Sequence, residues 1–285
     1  MERQADGREL RVVAFIKNSV PYITFRRYNK AFRRLVKLPG YLGREHTCPV
    51  CGVGLNAFKP IWKSYRRNTE RFGYIHRNRE METFNLPAFT CPKCDATDRE
   101  RLMAIHLDAM WPSLAARGPV RVIDFAPAYP LKHKITRYPG IDYRSADLFR
   151  NDVQDRIDLT KIDYPSESVD VFVCSHILEH IPEDRTAMRE LRRILKPDGF
   201  GMVLVPLVVG LDETTEAEGE TTEEYRWKYF GQGDHTRQYG RRDFVQRLTE
   251  SGLAVDQLGV EHFGRDTFRR HGIAENSVLY VVRRG

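Results

Sequence analysis

The 285-residue chain has no long apolar run; its longest are a few residues, such as Val12-Val13-Ala14-Phe15-Ile16. A membrane-spanning helix needs roughly 20 apolar residues and a secretory signal an apolar stretch of about 7–15, so neither is expected. Cysteine is scarce: of five, four form two Cys-x-x-Cys pairs far apart, unlike a disulfide framework. The expected compartment is a reducing cytoplasm. Glycine is absent from 119 to 139, across the end of the first strand of what reads as the main domain. That argues against a nicotinamide dehydrogenase, whose pyrophosphate rests on a glycine turn and helix N-terminus. No internal repeat is evident.

Charge is present but unevenly placed. Residues 1–80 hold 18 Lys+Arg against 6 Asp+Glu, a balance of +12, and the rest hold 28 against 33, a balance of −5. The whole-chain charge of +7 therefore hides a basic front and a mildly acidic remainder. A hydrophobic fraction of 41% and a charged fraction of 30% describe a globular chain with a sizeable core.

Three zones follow. Residues 1–45 form a basic, aromatic N-terminal arm, with one or two short amphipathic helices interrupted at Pro21. Such an arm suits a peripheral membrane surface or a partner enzyme, and equally a solvated helical face. Residues 46–96 carry the cysteine pairs. Residues 97–285 open with a helix capped by Thr97 or Asp98 and then alternate strands with helices. Val120–Phe125, Asp142–Ala146, Val169–Cys174 and Gly201–Val205 read as buried strands, and Ala187–Leu195 as a helix. The fold class is α/β: a doubly wound, mostly parallel sheet with helices on both faces, preceded by a small zinc-ribbon-like module and the basic arm.

Cys48-Pro-Val-Cys51 and Cys91-Pro-Lys-Cys94 are near copies. Two such turns bring four thiolates onto one ion, and a closed S₄ shell favours a structural Zn²⁺ with no room for a catalytic water. In an open α/β sheet, ligands sit beyond the carboxyl ends of the strands. There the sequence places Asp124-Phe-Ala126-Pro127-Ala128, Asp147-Leu148, Asp158-Leu159 and Cys174-Ser175-His176. Asp147 follows Asp124 by 23 residues, the spacing of an acid that accepts from a ribose diol. Cys174, inside an apolar strand, also reads as a buried small hydrophobe.

The strings Ser166-Glu-Ser-Val-Asp-Val-Phe-Val-Cys-Ser-His-Ile-Leu-Glu-His-Ile181 and Glu190-Leu-Arg-Arg-Ile-Leu-Lys-Pro-Asp-Gly199 resemble class I S-adenosylmethionine-dependent methyltransferases. Within these the chain is similar to a bacterial subgroup with upstream Cys-Pro-x-Cys pairs and a segment like Phe230-Gly-Gln-Gly-Asp-His-Thr-Arg-Gln-Tyr-Gly240. The resemblance spans about residues 46–285. It implies a turn at Asp124–Ala128 under the methionine part of the cofactor, Asp147 on the ribose and Asp158 near adenine, with Leu148, Leu159, Cys174 and Ser175 beside them. The family's D-x-G-x-G stands here as Asp-Phe-Ala-Pro-Ala, a variant turn with less backbone freedom.

If the acceptor is a hydroxyl, a general base is expected: His235 with Asp234, or His176. His180 reads as a packing residue, and Arg237 and Tyr239 as either acceptor-orienting or a solvated edge. The leading expectation is O-methylation of a saccharide or other small polar acceptor. One alternative is an RNA methyltransferase gripping phosphate with its basic end. Another is a degenerate fold kept for binding. The stretch 211–224, with seven acids and no base, follows the fifth strand and is expected near the pocket mouth, where it disfavours nucleic acid.

Overall fold

A computed structural model describes residues 38–285 except 78, 218 and 220; most of the basic arm lies outside the described residues. The first cysteine pair sits on the hairpin of β1 (Leu42–Thr47) and β2 (Gly54–Leu55). After α1 (Lys63–Arg71) and the second pair comes α2 (Asp98–Ala115), with Thr97 as N-cap and the Glu100 carboxylate accepting from the Thr97 N–H.

The rest of the chain alternates as expected. β3 (Val120–Phe125), α3 (Tyr129–Ile135), β4 (Ile141–Asp147) and β5 (Asp155–Arg156) lead to β6 (Val169–Ser175), α4 (Asp184–Ile194) and β7 (Leu195–Leu204). β8 (Thr215–Glu216), α5 (Glu223–Phe230), β9 (Arg237–Gln238), α6 (Arg241–Glu250) and β10 (Leu253–Leu258) follow. The described chain closes with α7 (Val260–Phe263), α8 (Arg265–His271) and β11 (Leu279–Arg284). Among the described residues no helix is long and apolar enough to cross a membrane.

Seven strands form one sheet in the order β10-β11-β7-β6-β3-β4-β5. All its pairs are parallel except those of β11, which runs antiparallel to both neighbours. From β3 the chain winds through α3 to β4 on one side, then returns to β6 on the other. Right-handed crossovers put these windings on opposite faces, and α2 packs with α3 while α4 packs with α6. The central strands are buried along nearly their whole length, as sheets covered on both faces require. One boundary differs from the periodicity: Leu195 already belongs to β7, because Val169 pairs with it before the Lys-Pro-Asp-Gly bend shifts the register.

The chain direction reverses at β3 and β6, and the register sets their ends side by side. Phe125 pairs with Cys174, so Ala126 and Ser175 leave the sheet as neighbours. Such a switch point opens the crevice in which doubly wound sheets take ligands.

Candidate active site

The switch-point turn keeps its shape without glycine. Ala126 has φ +48°, in the left-handed region that glycine occupies freely and a residue with a Cβ reaches at a cost of about 1 kcal/mol or more. Its N–H donates to the Ala146 carbonyl (2.8 Å). Beside it, the Ser175 Oγ is buried and makes no hydrogen bond. Asp147 is half-buried, and its Oδ1 accepts from the Phe149 and Arg150 N–H groups (2.7 and 2.9 Å). Arg150, which sequence reasoning missed, reaches across the crevice to the Pro127 carbonyl (2.7 Å). Asp158 is exposed and caps its own turn through Thr160. Ala128 precedes Tyr129, which with Leu148 and Phe149 leaves apolar surface exposed around this mouth. Two expected wall residues are elsewhere: Leu159 and Cys174 lie in the hydrophobic core, since both follow the buried run of the chain into the sheet.

Asp124 is 1% exposed and accepts from the Tyr143 hydroxyl (2.8 Å). Burial pushes its carboxyl from 3.8 up to about 7, against the pull of Tyr143, Lys132 and Arg150 and helped by Glu100. An unfolded chain ionises this group near 3.8 while the folded one keeps the proton, so the folded state binds more protons between the two values. Stability from Asp124 is present at pH 4 and falls as pH rises through 7, by about 4 kcal/mol in all. We expect urea unfolding of cofactor-free protein to show it: the stability of Asp124→Asn relative to wild type rises across that window. A pH-independent difference would remove the assignment.

Beyond the ends of β6 and β7 lies a cavity of about 290 Å³. Its walls are aromatic (Trp62, Tyr65, Tyr74, Phe84, Phe89 and Phe230), and His176, His180, His235 and Arg99 face it. Five of those rings come from the segment between the cysteine pairs, which is a pocket wall rather than a simple connecting loop. Tyr65, Tyr74, Met81 and Phe84 also border a wider cleft of about 860 Å³ that carries Arg66, Arg77 and Arg79.

The histidines are held from behind. His235 is buried, and its Nδ1 bonds the Phe230 carbonyl (3.0 Å), which leaves Nε2 as the free ring atom. Burial, aided by His180, lowers it to about 4, so it is neutral at physiological pH. Asp234 does not orient His235 as expected: its carboxylate lies 3.6 Å from the Nδ1 of His180, and its carbonyl 3.2 Å from the same atom. His176 follows the strand with φ +57°, and its Nε2 is buried without a partner. Glu179, which no local signal set apart, is 1% exposed, and neither carboxylate oxygen has a hydrogen-bond partner. Burial raises it to about 8.

Arg237 and Tyr239 form no solvated edge. Arg237 is buried and donates to the Leu178, Ile181 and Pro182 carbonyls, while the Tyr239 hydroxyl donates to Asp184 (2.6 Å). Thr236 bonds the Glu179 carbonyl through both its N–H and its hydroxyl. The segment 230–240 is thus a brace for the turn 178–182. The acidic stretch also departs from expectation, since none of its described residues lines either cavity. Glu213 pairs with Arg242 and Glu216 with Arg247 and Arg237; the Arg247 guanidinium holds the Glu216 carboxyl down at about 2.

The four remaining cysteines converge. Sγ atoms of Cys48 and Cys94 are 3.7 Å apart and those of Cys51 and Cys91 3.9 Å. A tetrahedral ion with bonds of about 2.3 Å to sulfur spaces its ligands by about 3.8 Å. The two turns repeat in structure as in sequence: Cys48 and Cys91 accept through their carbonyls from Gly52 and Asp95, which are both left-handed (φ +70° and +65°). The cysteine group could hold a metal ion.

Part of the chain is 28% identical over 131 residues to a Mycolicibacterium smegmatis protein described as "Probable S-adenosylmethionine-dependent methyltransferase". That match covers 46% of this chain and 42% of the relative, so the chain spans less than half the length of the curated protein it matches. Among solved structures, YcgJ from Bacillus subtilis is 14% identical with a TM-score of 0.40, covering 63% of this chain and 98% of its own. An S-adenosylmethionine-dependent methyltransferase from Mesorhizobium loti is 18% identical with a TM-score of 0.38, covering 62% and 98%. Residues 126–203, from the switch-point turn to the strand beside the histidines, match the family model described as a methyltransferase domain, and in this region the chain is similar to such domains.

Proposed function

We propose that the protein is an S-adenosylmethionine-dependent methyltransferase acting on a hydroxyl of a small polar acceptor such as a saccharide, in the cytoplasm. What carries the reading is the coincidence of the methyltransferase-domain match with a carboxyl-edge switch point whose Ser175 directly precedes His176 of a small, histidine-faced cavity. The cofactor supplies a sulfonium methyl group for in-line displacement. Asp147 keeps Oδ2 for the ribose hydroxyls, Leu148 and Asp158 border the adenine, and the Asp124–Ala128 turn with Ser175 lies under the methionine part. On the acceptor side, the protein aligns the hydroxyl and excludes water. Aromatic faces stack on the C–H surface of a small ring, and the Nε2 atoms of His176 and His235 stand ready to take a proton. Asp234 contributes indirectly, by holding His180 against His235.

A cavity near 290 Å³ is at the small end for ligand sites and suits a single small ring better than a base on a polymer. Because no described residue of the acidic stretch lines either cavity, it is this cavity rather than repulsion that favours a small molecule over RNA. The four cysteines, at the spacing of a tetrahedral S₄ shell, are proposed to hold a structural Zn²⁺.

Titration calorimetry with S-adenosylmethionine tests the cofactor half of the reading. Saturable binding is expected in wild type, weakened about 10–100-fold in Asp147→Asn, which keeps the loop-capping oxygen but offers the ribose a donor where it needs an acceptor. Equal affinity in the two proteins would remove Asp147 from the site. No binding to wild type would favour the degenerate-fold alternative.

A further inference from the structure

Among the described residues, Glu179 is the side chain whose two carboxyl oxygens are both buried without a hydrogen bond. It is a carboxyl group with 1% exposure and two oxygens that no described residue donates to. Burial without hydrogen bonds penalises its charged form, so the group holds its proton unless a bound cation takes the proton's place. The Nδ1 of His176 lies 3.5 Å from its Oε1, and two more histidines stand close by. Ligand atoms of Glu179, His180 and His235 all lie within 4.8 Å of one another. Both rings are anchored on the far side: the Nδ1 of His235 on the Phe230 carbonyl, and that of His180 on the Asp234 backbone and carboxylate. Metal-ligating histidines are held in this way, because a partner on one ring nitrogen fixes the tautomer and aims the other nitrogen.

We propose that Glu179, His180 and His235 bind a divalent transition-metal ion beside the aromatic cavity that the two histidines line, and that its open positions take the acceptor oxygen. The proposal rests on the methyl-transfer reading for its role, though not for the binding itself. Two imidazoles and one carboxylate suit Zn²⁺, Fe²⁺ or Mn²⁺, where an all-oxygen set would suit Mg²⁺ or Ca²⁺. The ligand atoms lie within 4.8 Å of one another, against roughly 3.0–3.4 Å between neighbouring ligands of such an ion, so binding would draw the three side chains together. The brace formed by Thr236 and Arg237 behind the turn then has a purpose, since it fixes two adjacent ligands on a short turn.

The ion would act as a Lewis acid on the acceptor hydroxyl. The acceptor O–H proton passes to the Nε2 of His176, the unpartnered nitrogen facing the same cavity. An oxygen lone pair forms the O–CH₃ bond as the S–CH₃ bond breaks, and its electron pair stays on sulfur. His235 then serves as a ligand, and His176 alone as the base.

The test is metal content by elemental analysis after equilibration with Zn²⁺ and gel filtration. Wild type is expected to hold one equivalent more than Glu179→Gln or His235→Gln. With Co²⁺ in place of Zn²⁺, the thiolate-to-metal absorption of the cysteine site stays in both variants, showing that they are folded. Equal metal content in wild type and both variants, with that absorption intact, overturns the proposal. S-adenosylmethionine calorimetry on the same wild-type sample separates the two ideas. Cofactor binding without the extra equivalent leaves the methyl-transfer reading standing and sinks the metal. The extra equivalent without cofactor binding does the reverse.

Discussion

Cys91→Ser is expected to empty the four-cysteine site and unfold the module around it. One thiolate is lost from a closed shell, and serine's hydroxyl is a poor ligand for a soft site. The module's own apolar cluster is small: Cys48, Leu55, Phe58, Cys91 and Ala96, two of them ligands. Structural Zn²⁺ contributes on the order of 10 kcal/mol or more to folding of small metal modules, far beyond what so small a cluster supplies. Elemental analysis should show the zinc of this site gone, and limited proteolysis should cut between residues 42 and 96. The main sheet has a separate core and should keep its far-ultraviolet circular dichroism. Because this segment supplies most of the aromatic wall, acceptor turnover should vanish while cofactor binding persists. Retained zinc, or unchanged protease resistance, would defeat the assignment.

Arg101→Met should cost about 3–5 kcal/mol. The Arg101 side chain is fully buried on α2, and its guanidinium donates to five carbonyls: Phe89 (3.1 Å), Ala96 (3.0 Å), Ala88 (2.5 Å), His271 (2.8 Å) and Gly272 (2.8 Å). It also lies 3.9 Å from the centre of the Phe58 ring. These carbonyls belong to the second cysteine turn on one side and the end of α8 on the other, so one side chain bolts the module to the sheet. Methionine fills much of the volume but leaves buried acceptors unpaired, at about 1–3 kcal/mol for each one that water cannot reach. Arg101→Lys should recover little, because one ammonium cannot reproduce a planar fork with five donors. A thermal scan should show the midpoint falling by about 10 °C for a chain of this size. A shift within about 2 °C would mean that the carbonyls find other partners.

How much of this was legible beforehand depends on the range of the physics involved. The cysteine pairs could be read because a Cys-x-x-Cys turn is local, and its repeat 43 residues on announces a shared partner. Ala126 shows the limit of such reading. Its alanine looked like a restriction on the turn, yet the backbone adopts the left-handed shape regardless, since the flanking strands over-determine it. Arg237 and Tyr239 read as acceptor-orienting or as a solvated edge because nothing nearby in sequence buries them; the carbonyls and the Asp184 carboxylate that they bond lie 55–61 residues away. Glu179 sits in a polar-looking Leu-Glu-His turn, and only the packing of 230–240 against that turn seals it from water.

The sequence by itself determined the alternation of strands and helices, the paired cysteine turns and the acids at strand ends, because each follows from periodicity, turn chemistry or spacing within a few residues. Tertiary structure alone decided what faces the acceptor. It joined the aromatics of 62–89 to the histidines of 176–235 in one cavity, paired Glu213 and Glu216 with arginines, and buried Asp124 and Glu179. Those outcomes depend on which distant surfaces meet and exclude water, and no local pattern of residues encodes that.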